Sequence, residues 1–116
     1  MQPSTALFAL VFTYVSLFSS VAAFKGDATY YYPGLGACGH TNKGSDLVAA
    51  LPTAKYGHGD HCGKKIGIHY GGKYVQATVV DLCPGCAPND IDVSPSTFSH
   101  LANKALGRIK VDWQFL

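Results

Sequence analysis

The stretch Lys65-Ile66-Gly67-Ile68-His69-Tyr70 alternates apolar and other residues, pauses at Gly71-Gly72, and alternates back through Tyr74-Val75-Gln76-Ala77-Thr78-Val79-Val80. A period of two places Ile66, Ile68 and Tyr70 on one face of a strand. A two-residue Gly-Gly link suits a primed hairpin turn. The centre of the chain is therefore a β-hairpin, and the flanking segments add short pieces to it. Gly26 to Tyr32, with its Ala-Thr-Tyr-Tyr-Tyr, reads as a first strand stopped by Pro33-Gly34-Leu35-Gly36. Ser45 to Leu51 predicts one or two helical turns, capped by Ser45 and ended by Pro52. Thr53 to Asp60 is rich in Gly and His and reads as a loop. Ile91 and Val93 mark a short strand. Ser94-Pro95 is an N-cap followed by Pro at the first helical position, with Phe98, Leu101 and Ala102 at helical spacing. After Gly107, the residues Ile109, Val111, Trp113 and Phe115 alternate as a final strand.

The N-terminus has a different character. Ala6 to Phe18 is a nearly unbroken apolar run, too short for the ~20 residues of a spanning helix. Small residues at Val21 and Ala23 suit cleavage after Ala23. Residues 1–23 are thus expected to be a signal peptide and residues 24–116 the folded domain, giving a secreted protein of the extracellular space or cell wall. No stable membrane association is expected after cleavage. The formal charge of +2, all of whose contributors lie beyond the leader, lacks the basic clusters of a nucleic-acid binder. All four cysteines, Cys38, Cys62, Cys83 and Cys86, also lie beyond the leader, and an even count in a secreted domain reads as two disulfides. Three pairings are possible. One Cys-x-x-Cys with two scattered cysteines is poor zinc spacing, and no βαβ pattern supports a redox role. No metal, no cofactor and a monomer are expected.

The order of motifs is more specific than any one of them. Gly26-x-Ala28-Thr29-Tyr30-Tyr31 comes first, then Gly36-Ala37-Cys38-Gly39, Cys62-Gly63-Lys64 and the hairpin. Val79-Val80-Asp81-Leu82-Cys83-Pro84-Gly85-Cys86, Asp90-Ile91-Asp92-Val93-Ser94-Pro95 and Gly107-Arg108-Ile109 follow. Across residues 26–116 this series resembles the double-psi β-barrel of expansins, bacterial rare lipoprotein A and fungal loosenins. The resemblance implies an all-β fold, a small six-stranded double-psi β-barrel with short helical inserts. It implies the disulfide Cys38–Cys62, which leaves Cys83–Cys86. Expansins usually carry a second β-domain; none is expected here, so single-domain loosenin-like proteins are the closer match.

The same resemblance makes Thr29, Tyr31, Asp81 and Asp92 the polar cluster of a glycan-binding groove, with Asp92 as the acid. A carboxylic acid beside a threonine hydroxyl and a phenol, in a partly dry groove, can keep its proton and donate to a glycosidic oxygen. The plainer reading is that Asp81 or Asp92 only caps backbone N–H groups; Asp90 and Asp46 read as solvated or capping. Inverting hydrolysis needs a second carboxylate as base. In the related small endoglucanases it stands just after the Thr-x-Tyr segment, where this chain has Pro33. Tyr31 is expected to face the groove with Thr29. Tyr30 and Tyr32 point the other way, as core or as surface. Trp113 reads as core. The expected action is binding and non-hydrolytic loosening of cell-wall polysaccharide, whether cellulose, chitin or peptidoglycan. Two alternatives stand beside it. One is lytic transglycosylase chemistry on a single acid, with His58 or His61 as candidate partner. The other is inhibition of a cysteine protease, carried by the Thr53–His61 loop.

Overall fold

The computed structural model describes residues 23–116; the expected leader, Ala23 aside, lies outside the described residues. Six strands close into one barrel: β1 (Phe24–Tyr30), β2 (Val48–Pro52), β3 (Lys65–Tyr70), β4 (Lys73–Cys83), β5 (Ile91–Val93) and β6 (Arg108–Phe115). Their order around the barrel is β1-β5-β2-β4-β3-β6, with β6 returning to β1. The pairs β1–β5 and β2–β4 are parallel and the other four are antiparallel. Closure leaves no open sheet edge, which matters for a chain with little core to spare. Two short helices, α1 (Thr53–Tyr56) and α2 (Pro95–Ser99), and a 3-10 turn at Lys104–Leu106 sit in the connections.

Period-two alternation sorts each strand. Ile66 and Ile68 of β3, Val75, Ala77 and Val79 of β4, and Ile109, Val111 and Trp113 of β6 point inward. Trp113 is fully buried and its Nε1–H donates to the Asn89 carbonyl at 2.8 Å, so the one polar atom of the indole is satisfied. Phe98 of α2 joins the same core. Ser94 caps α2 by accepting from the Thr97 N–H at 3.2 Å, as the Ser-Pro signal requires.

Three sequence expectations need correction. The helix expected over Ser45–Leu51 is absent: Val48–Pro52 is strand β2, buried along its whole length. A strand covered on both faces shows no alternation, so Val-Ala-Ala-Leu gave no period-two signal. The helical turn instead follows it, as α1, inside the stretch expected to be all loop. β1 starts two residues earlier and ends two earlier than expected.

One irregularity sets up the site. Val48 pairs with Thr78 and Ala49 with Val79, but Ala50 pairs with Asp81. Val80 is an extra residue, a β-bulge in β4. A bulge shifts the alternation by one. Without it Asp81 would continue the inward series Val75, Ala77, Val79; with it Asp81 turns to the outer face. The Val80 carbonyl accepts from the Cys38 N–H at 3.1 Å. Gly36 lies so close to that carbonyl that a Cβ there would collide with it.

Cys38 is bonded to Cys62 and Cys83 to Cys86. The first bridge joins residues 24 apart and the second residues 3 apart. Loop-closure entropy then predicts that a Cys38→Ser/Cys62→Ser variant loses about 3.5 kcal/mol and a Cys83→Ser/Cys86→Ser variant about 2 kcal/mol. Urea unfolding of the two variants checks the order; an equal or reversed loss contradicts it.

Candidate functional site

The outer face of the barrel carries one cross-strand row. In β1 and β6, Thr29 pairs with Arg108. In β1 and β5, Thr29 pairs with Asp92. Asp92 pairs with Ala50 of β2, and Ala50 with Asp81 of β4. The row therefore reads Arg108, Thr29, Asp92, Ala50, Asp81 across five adjacent strands. Strand spacing puts the Asp92 and Asp81 backbones roughly 10 Å apart, with Ala50 of β2 between them in the register. Tyr31 stands two residues beyond Thr29, on the same face. The four sequence candidates are thus neighbours, and the neighbourhood is a matter of register.

Each member has a distinct environment. The Thr29 hydroxyl donates to Asp92 Oδ1 at 3.0 Å. Burial pushes the Asp92 carboxyl above its ordinary range, and the nearby Asp81 adds to this; the Thr29 hydroxyl and the Arg108 guanidinium pull the other way without cancelling it. Asp81 is bound differently. Its Oδ1 accepts from the Ala37 and Leu82 N–H groups, both at 2.8 Å, so it pins the loop after β1 to β4. The capping role considered for Asp81 is therefore real, while for Asp92 the partner is a side chain. The Tyr31 hydroxyl is buried and makes no hydrogen bond of good geometry. Burial together with the charges of Asp81 and Asp92 holds its pKa above the usual phenol value.

Sequence reasoning did not single out Arg108 or Ala50. Arg108 donates to Asp27 Oδ2 at 3.0 Å and lies 3.7 Å from Asp90 Oδ2. Asp90 also accepts from the Asp27 N–H at 2.8 Å, and Asp46 accepts from the Lys43 N–H at 2.9 Å; both are capping groups. The signal for Arg108 was its strand parity opposite Thr29. Ala50 had none, because its role is to be small.

The other aromatic candidates divide. Tyr30 packs on Phe98 at 4.9 Å, whereas Tyr32 is 76% exposed. His61 stacks on Phe115 at 4.0 Å, and His58 is exposed.

A closed six-stranded barrel with two parallel pairs and this order is a double-psi β-barrel. Residues 23–113 match the lytic transglycolase family of double-psi β-barrels, and the chain belongs to that family. It is 43% identical over 97 residues to Allergen Asp f 7 of Aspergillus fumigatus, covering 78% of this chain and 36% of that protein. It is 34% identical to an EG45-like domain containing protein of Citrus jambhiri, covering 85% of this chain and 87% of that one. The chain spans less than half the length of the fungal allergen relatives, 36% and 43%. Its fold superposes on a Clavibacter michiganensis expansin variant in complex with cellohexaose, with a TM-score of 0.76 at 22% identity over 82% of this chain and 50% of that one. It superposes on the Streptomyces papain inhibitor with a TM-score of 0.74 at 30% identity, over 82% of this chain and 94% of that one. These likenesses make the chain an expansin-like and rare-lipoprotein-A-like barrel.

The raised Asp92 pKa has a stability consequence. A folded carboxyl that holds its proton more tightly than the unfolded one stabilises the fold most at low pH. That contribution is lost as pH rises from the unfolded value, about 3.9, through the folded one. Asp92→Asn removes the titration and keeps the Thr29 hydrogen bond. Its melting temperature relative to wild type is expected to be higher at pH 7 than at pH 3; a pH-independent difference contradicts the raised pKa.

Proposed function

We propose that the outer row is a glycan-binding groove and that the protein, secreted to the cell wall or extracellular space, loosens polysaccharide without cleaving it. The observation that carries this is the contrast between the two carboxylates. Asp92 keeps its proton to higher pH than a solvated aspartate and faces the groove beside a hydroxyl. Asp81 has one oxygen already committed to two backbone N–H groups. An acid that retains a proton can donate a hydrogen bond to a glycosidic or hydroxyl oxygen, replacing one that the glycan makes to a neighbouring chain. Hydrolysis by inversion needs a free base to activate water, and the position after the Thr-Tyr-Tyr segment is Pro33. The expansin that holds cellohexaose and the EG45-like relative support a wall polysaccharide as partner; cellulose, chitin and peptidoglycan are the candidates.

A second reading has its own support. The papain inhibitor is 30% identical and is covered over 94% of its length, so inhibition of a cysteine protease through the loop around α1 is the alternative. Lytic chemistry, the activity in the family's name, is the third outcome that the experiment separates.

The full chain, expressed with its disulfides formed, is incubated with insoluble cellulose, chitin and peptidoglycan. Bound protein, released sugar and wall weakening are measured together, with Asp92→Ala in parallel. Binding and weakening without released sugar are expected, with a loss of about tenfold in the variant, the size of one hydrogen bond to a buried carboxyl. Sugar release that depends on Asp92 makes the protein a lytic enzyme instead. No binding to any glycan, with papain inhibition intact in Asp92→Ala, moves the function to the protease surface.

A further inference from the structure

Asp92 stands on the shortest strand of the barrel. β5 is three residues long, Ile91–Val93, and pairs with three residues of β1 and two of β2. Burial of Ile91 and Val93 decides which face Asp92 takes. It does not fix how far along the groove, or how deep, the carboxyl sits. That depends on how the chain enters and leaves so short a strand. The exit is fixed by Ser94, whose N–H donates to the Val48 carbonyl at 2.9 Å and whose hydroxyl donates to the Asp46 carbonyl.

The entry is the turn at Pro88-Asn89, which is exposed and yet held from three sides. From β1, a Cβ on Gly26 would collide with the Asn89 carbonyl oxygen, so the turn passes directly against that strand. From β6, Trp113 Nε1–H donates to the same oxygen at 2.8 Å. From α1, Lys55 Nζ donates to the Pro88 carbonyl at 3.0 Å and to Asn89 Oδ1 at 2.9 Å. The ammonium also lies 4.6 Å from the centre of the ring of Phe24, the first residue of β1. Among the described residues Lys55 is in no salt bridge; its donors go to neutral acceptors and an aromatic face. Holding a long side chain at three points costs rotamer entropy, which these contacts outweigh.

We propose that Lys55 is a positioning residue for Asp92: it clamps the Pro88-Asn89 turn between α1 and β1 and so fixes where β5 presents its acid to the groove. The path is short. Asn89 leads into Asp90, whose Oδ1 accepts from the Asp27 N–H at 2.8 Å, and Asp92 follows two residues later, bonded to Thr29. α1 follows β2 directly, and β2 and β1 flank β5, so the clamp spans the three strands whose register brings Thr29, Asp92 and Ala50 together. Lysine suits the task because one ammonium sends N–H groups to a carbonyl, an amide oxygen and a ring at once. Without it the turn keeps only the Trp113 bond and the neighbouring Asp90 bond. The N-terminal end of β5 then moves toward solvent, and Asp92 loses burial. The role is indirect, since the charges that act on Asp92 are those of Arg108 and Asp81, not Lys55.

The proposal rests on the glycan reading only for its binding readout, so its failure and the groove's are separate. Lys55→Met, Lys55→Arg and Asn89→Ala are made in the full disulfide-bonded chain. The Asp92 carboxyl is titrated by NMR, and partition onto insoluble cellulose and chitin is measured. The sign of the titration decides. Loss of a cation by itself raises a carboxyl pKa or leaves it unchanged, whereas loss of burial lowers it toward the ordinary value. Lys55→Met is expected to lower the Asp92 pKa and to weaken partition about tenfold, the size of the hydrogen bond that a displaced acid no longer makes. Asn89→Ala, which keeps the lysine and one of its acceptors, is expected to move both in the same direction by less. Lys55→Arg, which keeps the charge and the donors, is expected to restore both. An Asp92 pKa in Lys55→Met equal to or above that of wild type overturns the proposal, even where the melting temperature or the partition falls. A lowered pKa in that variant, with no glycan bound even by wild type, upholds the clamp and overturns the groove.

Discussion

The site depends on one extra residue in a strand. β4 runs inward at Val75, Ala77 and Val79, and the next inward position would be residue 81, an aspartate. A carboxylate there would lie among apolar side chains without partners, at a cost of several kcal/mol. Val80 removes the problem by bulging. It shifts the alternation, turns Asp81 outward and places it in line with Ala50, Asp92 and Thr29. The freed Val80 carbonyl takes the Cys38 N–H, and Asp81 takes the Ala37 N–H. The loop after β1 is thereby tied to β4 at two points, and the Cys38–Cys62 bridge ties it to the segment before β3. Gly36 has to be glycine because it sits against the bulged carbonyl.

Much of this was legible in the residues, and the illegible part has a physical cause. The hairpin β3–β4 showed itself because one of its faces is wet, so its alternation is complete. The cap of α2 showed itself because Ser-Pro acts locally. β2 did not, because both its faces are covered and Val-Ala-Ala-Leu carries no period. Thr29 and Tyr31 share a face by simple spacing. Their meeting with Asp92 and Asp81 needs two parallel pairings and a bulge, which no local pattern encodes; the family resemblance supplied it. The doublet Val79-Val80 was the trace of the bulge, since two consecutive β-branched residues break an otherwise strict alternation. Arg108 and Ala50 act through register alone.

The row has a polarity that bears on chemistry. Arg108 lies at one end, neutralised in part by Asp27 and Asp90, and Asp81 lies at the other with its charge spread over two amides. Asp92 sits between them, partly buried. Its proton is held more tightly because burial outweighs the help of Thr29 and Arg108. Such a group, while it keeps its proton, can donate a hydrogen bond to a sugar oxygen.

The most direct measurement is a crystal structure of the disulfide-bonded protein with cellohexaose or chitohexaose bound. The account predicts a sugar chain crossing the row over Thr29, Asp92 and Ala50, with a glycosidic or hydroxyl oxygen within hydrogen-bond reach of Asp92. Oligosaccharide bound elsewhere on the barrel with the row empty, or no binding of either sugar at saturating concentration, contradicts it.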